Sequence, residues 1–314
     1  MAALNKQPRR VLIFGHSNIG DVCYDMAAVA PVRAAFPDAR VSFITSPQAR
    51  DVPAVAAGID EIIIFDKYGA DRGFTGMCGF IRRLRARRFS GAVILRDTQL
   101  PLFLNIPRIL RRRKIGAADH PALAAAAVCA RGGGAPAAPQ FNFSFSAADE
   151  RFVREIFADS GIAPGQPVIG IMPFGNWKLK CWPVRYWNEV TGALRRQWNA
   201  PVIMFGKSSP ADSWEDDFLR NIDRRVINLV DRCSLRQSIA VLPHLRALVG
   251  IDTSLVHLSS CLQVPTVSLY GPSGFDRFYP FFHRGLLATA QPLLRCQPCY
   301  RRAAVGSCGV KGQP

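Results

Sequence analysis

Three loops of this sequence carry polar residues whose types and spacing could do chemistry, and the first lies near the N-terminus. Residues 15–22 read GHSNIGDV, and two glycines there allow a tight turn from a strand into a helix. Free backbone N–H groups at a helix start suit an anion or a sugar oxygen, and Asp21 adds a carboxylate beside them. The alternative is that Asp21 only stabilises the first helical turn. The loop lacks the G-x-G-x-x-G pattern, which argues against a dinucleotide dehydrogenase.

The second loop, residues 173–183, reads PFGNWKLKCWP and is rich in positive charge. Lys178 and Lys180 would place two ammonium groups just beyond a strand, where they could bind a diphosphate as mobile point charges. The alternative is a solvated lysine pair beside a helix that begins at Pro183, a residue that suits the first helical turn. The residues alone support both interpretations.

The third loop lies within residues 250–258, which read GIDTSLVHL. Asp252, Thr253 and Ser254 stand where a helix should begin, and hydroxyls with the first N–H groups of a helix can cradle a phosphate. His257 follows one turn later and can face the same ligand. The alternative is an ordinary helix cap with a half-buried histidine. Because the loop follows a buried strand, at the edge where parallel sheets bind ligands, the sequence favours the phosphate site.

Short β-branched runs separated by helical patterns must position these loops, and they predict an α/β fold. Strands are predicted at 10–15, 40–45, 61–65, 91–95, 168–172, 201–205, 226–229, 247–251 and 265–270. Helices are predicted near 25–36, 47–57, 77–88, 147–161, 184–198, 211–221, 235–243 and 256–263. This alternation is typical of βαβ units, whose parallel sheets are covered on both faces.

The alternation restarts after a turn-rich segment and therefore predicts two Rossmann-like, doubly wound domains, 1–165 and 166–314. Two such domains are expected to face each other across a central cleft. Residues 121–140 are rich in Ala, Gly and Pro, and we expect them to form a loose surface segment. The first loop then belongs to the N-terminal domain, and the other two belong to the C-terminal domain.

The composition narrows the class of partner. The 314 residues carry a formal net charge of +17, which favours nucleic acid, an anionic membrane surface or a phosphorylated substrate. No run reaches the roughly 18 to 20 apolar residues that span a bilayer. The apolar stretch after the basic start is too short for a signal-peptide core. We therefore expect a cytoplasmic protein.

Five ordered motifs resemble those of the bacterial heptosyltransferases of glycosyltransferase family nine. They are GDV at 20–22, KCWP at 180–183, DTSLVHL at 252–258, LYGPS at 269–273 and CQPCY at 296–300. The resemblance covers almost the whole chain. It implies a GT-B fold and an inverting, metal-independent transfer of heptose from ADP-heptose to the lipopolysaccharide core, with no cofactor.

The resemblance also implies roles for individual residues. Asp21 would be the general base that deprotonates the acceptor hydroxyl. Lys180, Thr253 and the backbone N–H groups of Ser254 and Leu255 would hold the donor diphosphate and stabilise the departing anion.

Further site residues follow from the same motifs. Asp252 would sit near the sugar hydroxyls. Asn176 and His257 are expected to bind the donor, and Ser17, Asn18 and Gly20 are expected to lie on the acceptor side. Two positions depart from the family pattern. Ser254 stands where the family has glycine, and Asn176 stands where a serine or threonine is common.

A basic stretch in the N-terminal half bears on the acceptor. It comprises Arg82, Arg83, Arg85, Arg87, Arg88, Arg108, Arg111, Arg112, Arg113 and Lys114. We favour docking on the anionic inner-membrane surface or on a phosphorylated lipopolysaccharide precursor, which places the protein on the cytoplasmic face of that membrane. A solvated basic face is the alternative. Nucleic acid is not expected, because the only aromatic residues there that could stack on bases are Phe80, Phe89 and Phe103.

A function of another class also fits these features. Ser254 and the high charge are compatible with a catalytically weak, basic protein that reuses the fold to bind membrane surfaces or nucleic acid. Such a protein would have no reason to keep the diphosphate loops. Binding of a nucleotide diphosphate therefore separates the two hypotheses.

Three of the nine cysteines cluster near the C-terminus, namely Cys296, Cys299 and Cys308. Their spacing would suit a structural zinc site if His283 supplied a fourth ligand. Paired or reduced structural thiols are the interpretation we favour, so no metal is expected.

Overall fold

A computed structural model describes residues 8–112, 120–129, 138–208, 213–289 and 299. The chain divides into two compact units, Met1–Ser144 and Phe145–Pro314. Each unit contains one parallel sheet and the helices that connect its strands.

The N-terminal unit is built on a five-stranded sheet. Its strands are β1 (Arg10–Phe14), β2 (Arg40–Thr45), β3 (Glu61–Ile64), β4 (Gly91–Ile94) and β5 (Arg108–Arg111). All neighbours pair in parallel, in the order β3-β2-β1-β4-β5. The helices are α1 (Ile19–Asp25), α2 (Val29–Ala35), α3 (Asp51–Ala54), α4 (Gly73–Ala86) and α5 (Pro121–Ala126).

The central strand β1 anchors the core of this unit. Leu12 and Phe14 are completely buried and share one apolar cluster with Phe80 and Leu84 of α4. The chain then leaves the strand at Gly15, where a β-carbon would lie only 2.2 Å from the ring of Phe43. Only glycine fits there, and the tight exit aims the following loop beyond the carboxyl edge of the sheet.

The C-terminal unit repeats this plan with six strands. They are β6 (Ile169–Met172), β7 (Val202–Met204), β8 (Ile227–Asn228), β9 (Ala247–Ile251), β10 (Thr266–Tyr270) and β11 (Leu287–Thr289). The order is β11-β10-β9-β6-β7-β8, again all parallel. The helices are α6 (Ala147–Asp159), α7 (Val184–Trp198), α8 (Ser213–Asn221), α9 (Leu235–Val241) and α10 (Ser254–Cys261).

Most predicted elements are confirmed, and β2, β9 and α7 have the predicted bounds. The prediction of a loose segment at 121–140 is wrong for its first part, because 121–126 form α5, whose alanines are nearly all buried. Alanine is the strongest helix former and packs closely, so a composition that looked loose builds a core helix. Residues 130–137 lie outside the described part. Strands β5 and β11 were not predicted.

The division between the units lies before α6, whereas the prediction placed it after that helix. The physical reason is an ion pair between α6 and α9. Arg236 Nε and Nη2 donate to the two carboxylate oxygens of Asp149, each at 2.7 Å. Asp149 also completes a capping box with Ser146. These hydrogen bonds, Arg236 first, hold the pKa of the buried Asp149 carboxyl well below its ordinary value.

We predict that Asp149→Ala lowers the free energy of unfolding by about 2 kcal/mol, because it removes the ion pair with Arg236 and the carboxylate half of the capping box. Urea unfolding followed by circular dichroism measures this. Since the folded pKa is depressed, the stabilisation is present above about pH 4 and is lost as the pH falls further. Glu155→Ala, an exposed change on the same helix, should alter stability by less than about 0.5 kcal/mol. Equal effects of the two substitutions would contradict this account of the helix.

Candidate functional site

The second and third predicted loops meet in the C-terminal unit. They follow β6 and β9, which are parallel neighbours, so their carboxyl ends lie side by side. A β-carbon on Gly175 would come within 3.0 Å of Thr253 Cγ2, which shows how closely the two loops pack. The structure therefore brings these polar segments together at one edge of the sheet.

A buried carboxylate joins the two loops. Lys180 Nζ donates to Asp252 Oδ2 at 2.6 Å and to the Asp252 carbonyl oxygen at 3.1 Å. His257 Nε2 lies 3.0 Å from Asp252 Oδ1. The Asp252 side chain is only 12% exposed, and His257 is buried. Because an ammonium group has three N–H donors, Lys180 retains a donor for a ligand beyond these two contacts.

The charge state of this cluster follows from its contacts. Burial raises the pKa of Asp252, but the hydrogen bond and charge of His257 and the charge of Lys180 outweigh it and hold that pKa well below its ordinary value. Asp252 is therefore ionised at neutral pH. Burial, with a smaller contribution from Asp252, raises the pKa of Tyr270, whose phenol donates to the carbonyl oxygen of Phe278 at 2.6 Å.

The start of α10 provides a second positive feature. Thr253 caps this helix with an extended backbone, but its hydroxyl makes no capping hydrogen bond. Within the described residues, the buried Thr253 Oγ1 has no hydrogen-bond partner. N–H groups in the first turn of a helix have no partner within the helix, and the helix dipole favours an anion there. A buried hydroxyl, these N–H groups and the Lys180 ammonium together form a site suited to phosphate.

Three other residues were predicted to bind the donor: Asn176, Ser254 and Leu255. Ser254 and Leu255 are the first two residues of α10, which therefore begins two residues before the predicted range of 256–263, and Ser254 has a helical backbone. The Leu255 side chain points into the core, so its backbone is the part available to a ligand. Asn176 is exposed on the loop after β6, and among the described residues it is not one of the hydrogen-bond partners of Asp252 or Lys180.

The first predicted loop forms a separate cluster in the N-terminal unit. Asp21 lies in the first turn of α1 and is partly exposed. Asn18 is the N-cap of that helix, and its amide donates to Asp21 Oδ2 at 3.2 Å. Arg96, just beyond β4, donates from Nη1 to Ser17 Oγ at 2.8 Å. A β-carbon on Gly20 would meet no atom of the described residues within 4 Å, so these residues leave the space at Gly20, next to Asp21, open.

Sequence reasoning missed a buried pair in this cluster. His16 lies with Nδ1 2.9 Å from Asp25 Oδ1, and its backbone N–H donates to Asp25 Oδ2 at 2.7 Å. Burial of the ring lowers the pKa of His16, but Asp25, helped by Asp21, outweighs that effect and raises it above 6.5. The available signal was the spacing of Asp21 and Asp25, which are one helical turn apart on the same face.

The described residues contain neither a cluster of metal-binding side chains nor a membrane-spanning helix. No group of three or more His, Cys, Asp or Glu side chains in the described ranges could hold a metal ion. Cys296 and Cys308 lie outside those ranges, and His283 Nδ1 lies 3.0 Å from Ser260 Oγ. Among the described helices, none is long and apolar enough to cross a bilayer.

The decisive comparison is with protein families. The model for glycosyltransferase family 9 (heptosyltransferase) matches residues 120–305. The chain belongs to this family. The match spans the whole cluster around Asp252, which is thereby a cluster of a family 9 glycosyltransferase.

Curated relatives resemble part of this family 9 chain. Lipopolysaccharide heptosyltransferase 1 of Pseudomonas aeruginosa is 31% identical over 137 residues, which are 43% of this chain and 37% of the relative. Lipopolysaccharide heptosyltransferase 2 of Salmonella typhimurium is 26% identical over 131 residues, 40% of this chain and 37% of the relative. The matched segment thus spans little more than a third of each relative.

Solved structures match far more of the chain. Escherichia coli ADP-heptose lipopolysaccharide heptosyltransferase II has a TM-score of 0.70 at 20% identity and covers 90% of both chains. A family 9 glycosyl transferase from Veillonella parvula has a TM-score of 0.75 at 16% identity, over 90% of this chain and 85% of that one. These likenesses show the fold, and the GT-B prediction is confirmed.

The pair formed by His16 and Asp25 makes a pH prediction. In a titration followed by histidine NMR signals, His16 should titrate above 6.5, and Asp25→Asn should lower its pKa. Because the folded pKa is raised, the pair stabilises the fold fully below about pH 6.5 and less as the pH rises through the folded pKa. His283, whose pKa burial lowers, serves as the internal control and should titrate below 6.5. The assignment of the pair is wrong if His16 titrates below His283.

Proposed function

We propose that the protein is an inverting, metal-independent glycosyltransferase that moves heptose from ADP-heptose to a hydroxyl of a lipopolysaccharide core acceptor. The observation that carries the proposal is a set of three groups in the C-terminal unit: the start of α10, Lys180, and a Thr253 hydroxyl that has no hydrogen-bond partner among the described residues. A structurally similar protein, Escherichia coli heptosyltransferase WaaC, has been solved with ADP at a TM-score of 0.68 and 18% identity, over 90% of this chain and 93% of that one.

The donor would bind through its diphosphate. The hydroxyl of Thr253, the N–H groups of Ser254 and Leu255 and the ammonium of Lys180 would contact phosphate oxygens, with Asn176 at the outer end. These groups stabilise the negative charge that grows on the leaving ADP, which is how an enzyme lowers the barrier to such a departure. Asp252 would orient Lys180 through their hydrogen bond and lie near the sugar hydroxyls. The contact with His257 would hold the Asp252 carboxylate in place.

The acceptor would bind in the N-terminal unit beside Asp21. In the reaction the Asp21 carboxylate takes the proton of the acceptor hydroxyl, and that oxygen forms a bond to the anomeric carbon of heptose. The bond from that carbon to the β-phosphate oxygen breaks, and ADP leaves with the electron pair. A single displacement inverts the anomeric centre. Ser17, Asn18 and Gly20 would flank the incoming hydroxyl.

The partner and the location follow from the acceptor. A lipopolysaccharide precursor is an anionic glycolipid, so the enzyme would work as a peripheral protein on the cytoplasmic face of the inner membrane. The rival partner, nucleic acid, gains little support from the aromatic residues of the basic stretch. Phe80 and Phe89 are buried, and of those three only Phe103 is exposed enough to stack on a base.

The catalytic assignment predicts the behaviour of Asp21→Asn. Loss of a general base should lower kcat by about 10²- to 10⁴-fold and leave ADP affinity unchanged. The assay measures ADP release from ADP-heptose in the presence of a lipopolysaccharide acceptor. Asp38→Asn, an exposed carboxylate in the same unit, is the matched control and should keep full activity. Normal turnover of Asp21→Asn would exclude it as the base.

The donor assignment predicts a split between stability and binding for Thr253→Val. The hydroxyl makes no hydrogen bond within the described protein, so its removal should change the free energy of unfolding by less than about 0.5 kcal/mol. ADP affinity should fall by about 10-fold or more, because a hydrogen bond to a charged phosphate is lost. Thr253→Ser keeps the hydroxyl and should bind ADP nearly as well as the wild type. Unchanged ADP binding by Thr253→Val would remove this residue from the site.

A further inference from the structure

A wide groove lies on the surface of the N-terminal unit, apart from the residues assigned to catalysis. Its volume is about 1120 Å³, and α4, the 3₁₀ helix Leu100–Phe103 and β5 form its walls. Five large apolar side chains line it: Phe74, Met77, Ile81, Leu100 and Phe103. Such a concentration of apolar surface in an open groove is typical of an interaction site.

The same groove is positively charged. Arg82, Arg85 and Arg111 line it, and Asp97 is the one carboxylate among its lining residues. Arg85 Nε donates to the carbonyl oxygen of Phe103 at 2.6 Å, which ties the 3₁₀ helix to α4. Over the ranges that the structure describes, neither Arg82 nor Arg111 forms an ion pair. Their charges are therefore available to an anionic partner.

Two neighbouring arginines of the basic stretch are neutralised by ion pairs, unlike Arg82 and Arg111. Arg83 pairs with Asp71, and Arg87 pairs with Glu61. Some arginines of the basic stretch are therefore not available to bind an anionic partner. In the described part of this stretch, Arg82 and Arg111 carry unpaired charge beside the apolar side chains of the groove.

Exposed apolar side chains extend the groove toward solvent. Phe74 is 84% exposed, Leu102 is 69% exposed and Phe103 is 48% exposed. Single exposed apolar residues are ordinary, but aromatic and aliphatic side chains interleaved with lysine and arginine are typical of surfaces that enter the headgroup layer of a membrane.

We infer that this groove and its rim form the surface by which the enzyme docks on an anionic phospholipid bilayer. Phe74, Leu102 and Phe103 insert between the lipid headgroups, and Arg82 and Arg111 bind lipid phosphates. A bilayer fits better than nucleic acid because the groove is mostly aliphatic and aromatic, with few charges to follow a phosphate backbone. Charge and apolar area are both required, since neither signal alone gives stable membrane binding.

The position of the groove suggests what docking would achieve, and this step rests on the proposed function. Asp97 of the groove directly follows Arg96, which lies just beyond β4 and donates a hydrogen bond to Ser17 in the loop that precedes Asp21. Docking through this surface therefore brings the lipid bilayer close to the proposed base within the same unit. A glycolipid acceptor could then reach Asp21 without leaving the membrane.

The test is co-sedimentation of the full chain with phosphatidylethanolamine vesicles that contain phosphatidylglycerol, and with phosphatidylcholine vesicles. The wild type should bind the anionic vesicles, and Phe74→Ser and Arg82→Glu should each weaken that binding by about tenfold. Trp198→Ser and Arg224→Glu are matched controls, because both residues are exposed in the C-terminal unit and the changes in polarity and net charge are the same. Both controls should bind as the wild type does.

Three results would overturn the inference: no binding of the wild type to anionic vesicles, equal losses in the controls, or an unaltered Phe74→Ser. Binding of single-stranded poly-uridylate that depends on Phe74 and Arg82, without vesicle binding, would assign the groove to nucleic acid instead. ADP titrations of the same samples separate the two proposals. Normal ADP binding without vesicle binding leaves the proposed function standing, whereas vesicle binding without ADP binding removes it.

Discussion

The ionised carboxylate of Asp252 is the charge on which the polar cluster of the C-terminal unit depends. It lies at the carboxyl end of β9, and it draws Lys180 from the neighbouring loop and His257 from the next helix into hydrogen-bond distance. A buried carboxylate without those partners would be costly, so the three residues stabilise one another's positions. The result is an ammonium group held beside the start of α10, ready for a phosphate.

A geometric constraint places everything else. Within each unit all strands run parallel, so the carboxyl ends of its strands lie at one edge of its own sheet. Every loop that carries a proposed functional residue leaves the sheet of its unit from that edge. Gly15 and Gly175 permit the close packing this requires, because a β-carbon on either would collide with or crowd a neighbouring side chain. In the N-terminal unit this edge carries Asp21, the partly buried His16 and the buried Asp25. The C-terminal unit uses its edge for the anion site.

The sequence predicts most of this arrangement where pattern and physics coincide. Strand β9 and helix α7 have the predicted bounds because the short apolar run ALVGI marks the strand, and Pro183 and Asn199 flank the helix. The edge strand β5 escaped notice because its sequence, RILR, is half arginine. The residue types of the loops after β6 and β9 led to the prediction of a phosphate site. The contact between Lys180 and Asp252 was not predicted, since 72 residues separate them and only the sheet order brings them together. The pairing of His16 with Asp25 depends likewise on a turn that sequence alone does not define.

The most direct test of the central claim is a calorimetric titration with ADP, UDP and GDP in the presence of EDTA, on the wild type, Lys180→Met and Lys178→Met. Lys178 is the exposed neighbour of Lys180 in the same short helix and is therefore the matched control. The account predicts that the wild type and Lys178→Met bind ADP in preference to UDP and GDP without any metal, and that Lys180→Met loses this binding. Binding that requires a divalent metal, or that survives in Lys180→Met, would contradict it.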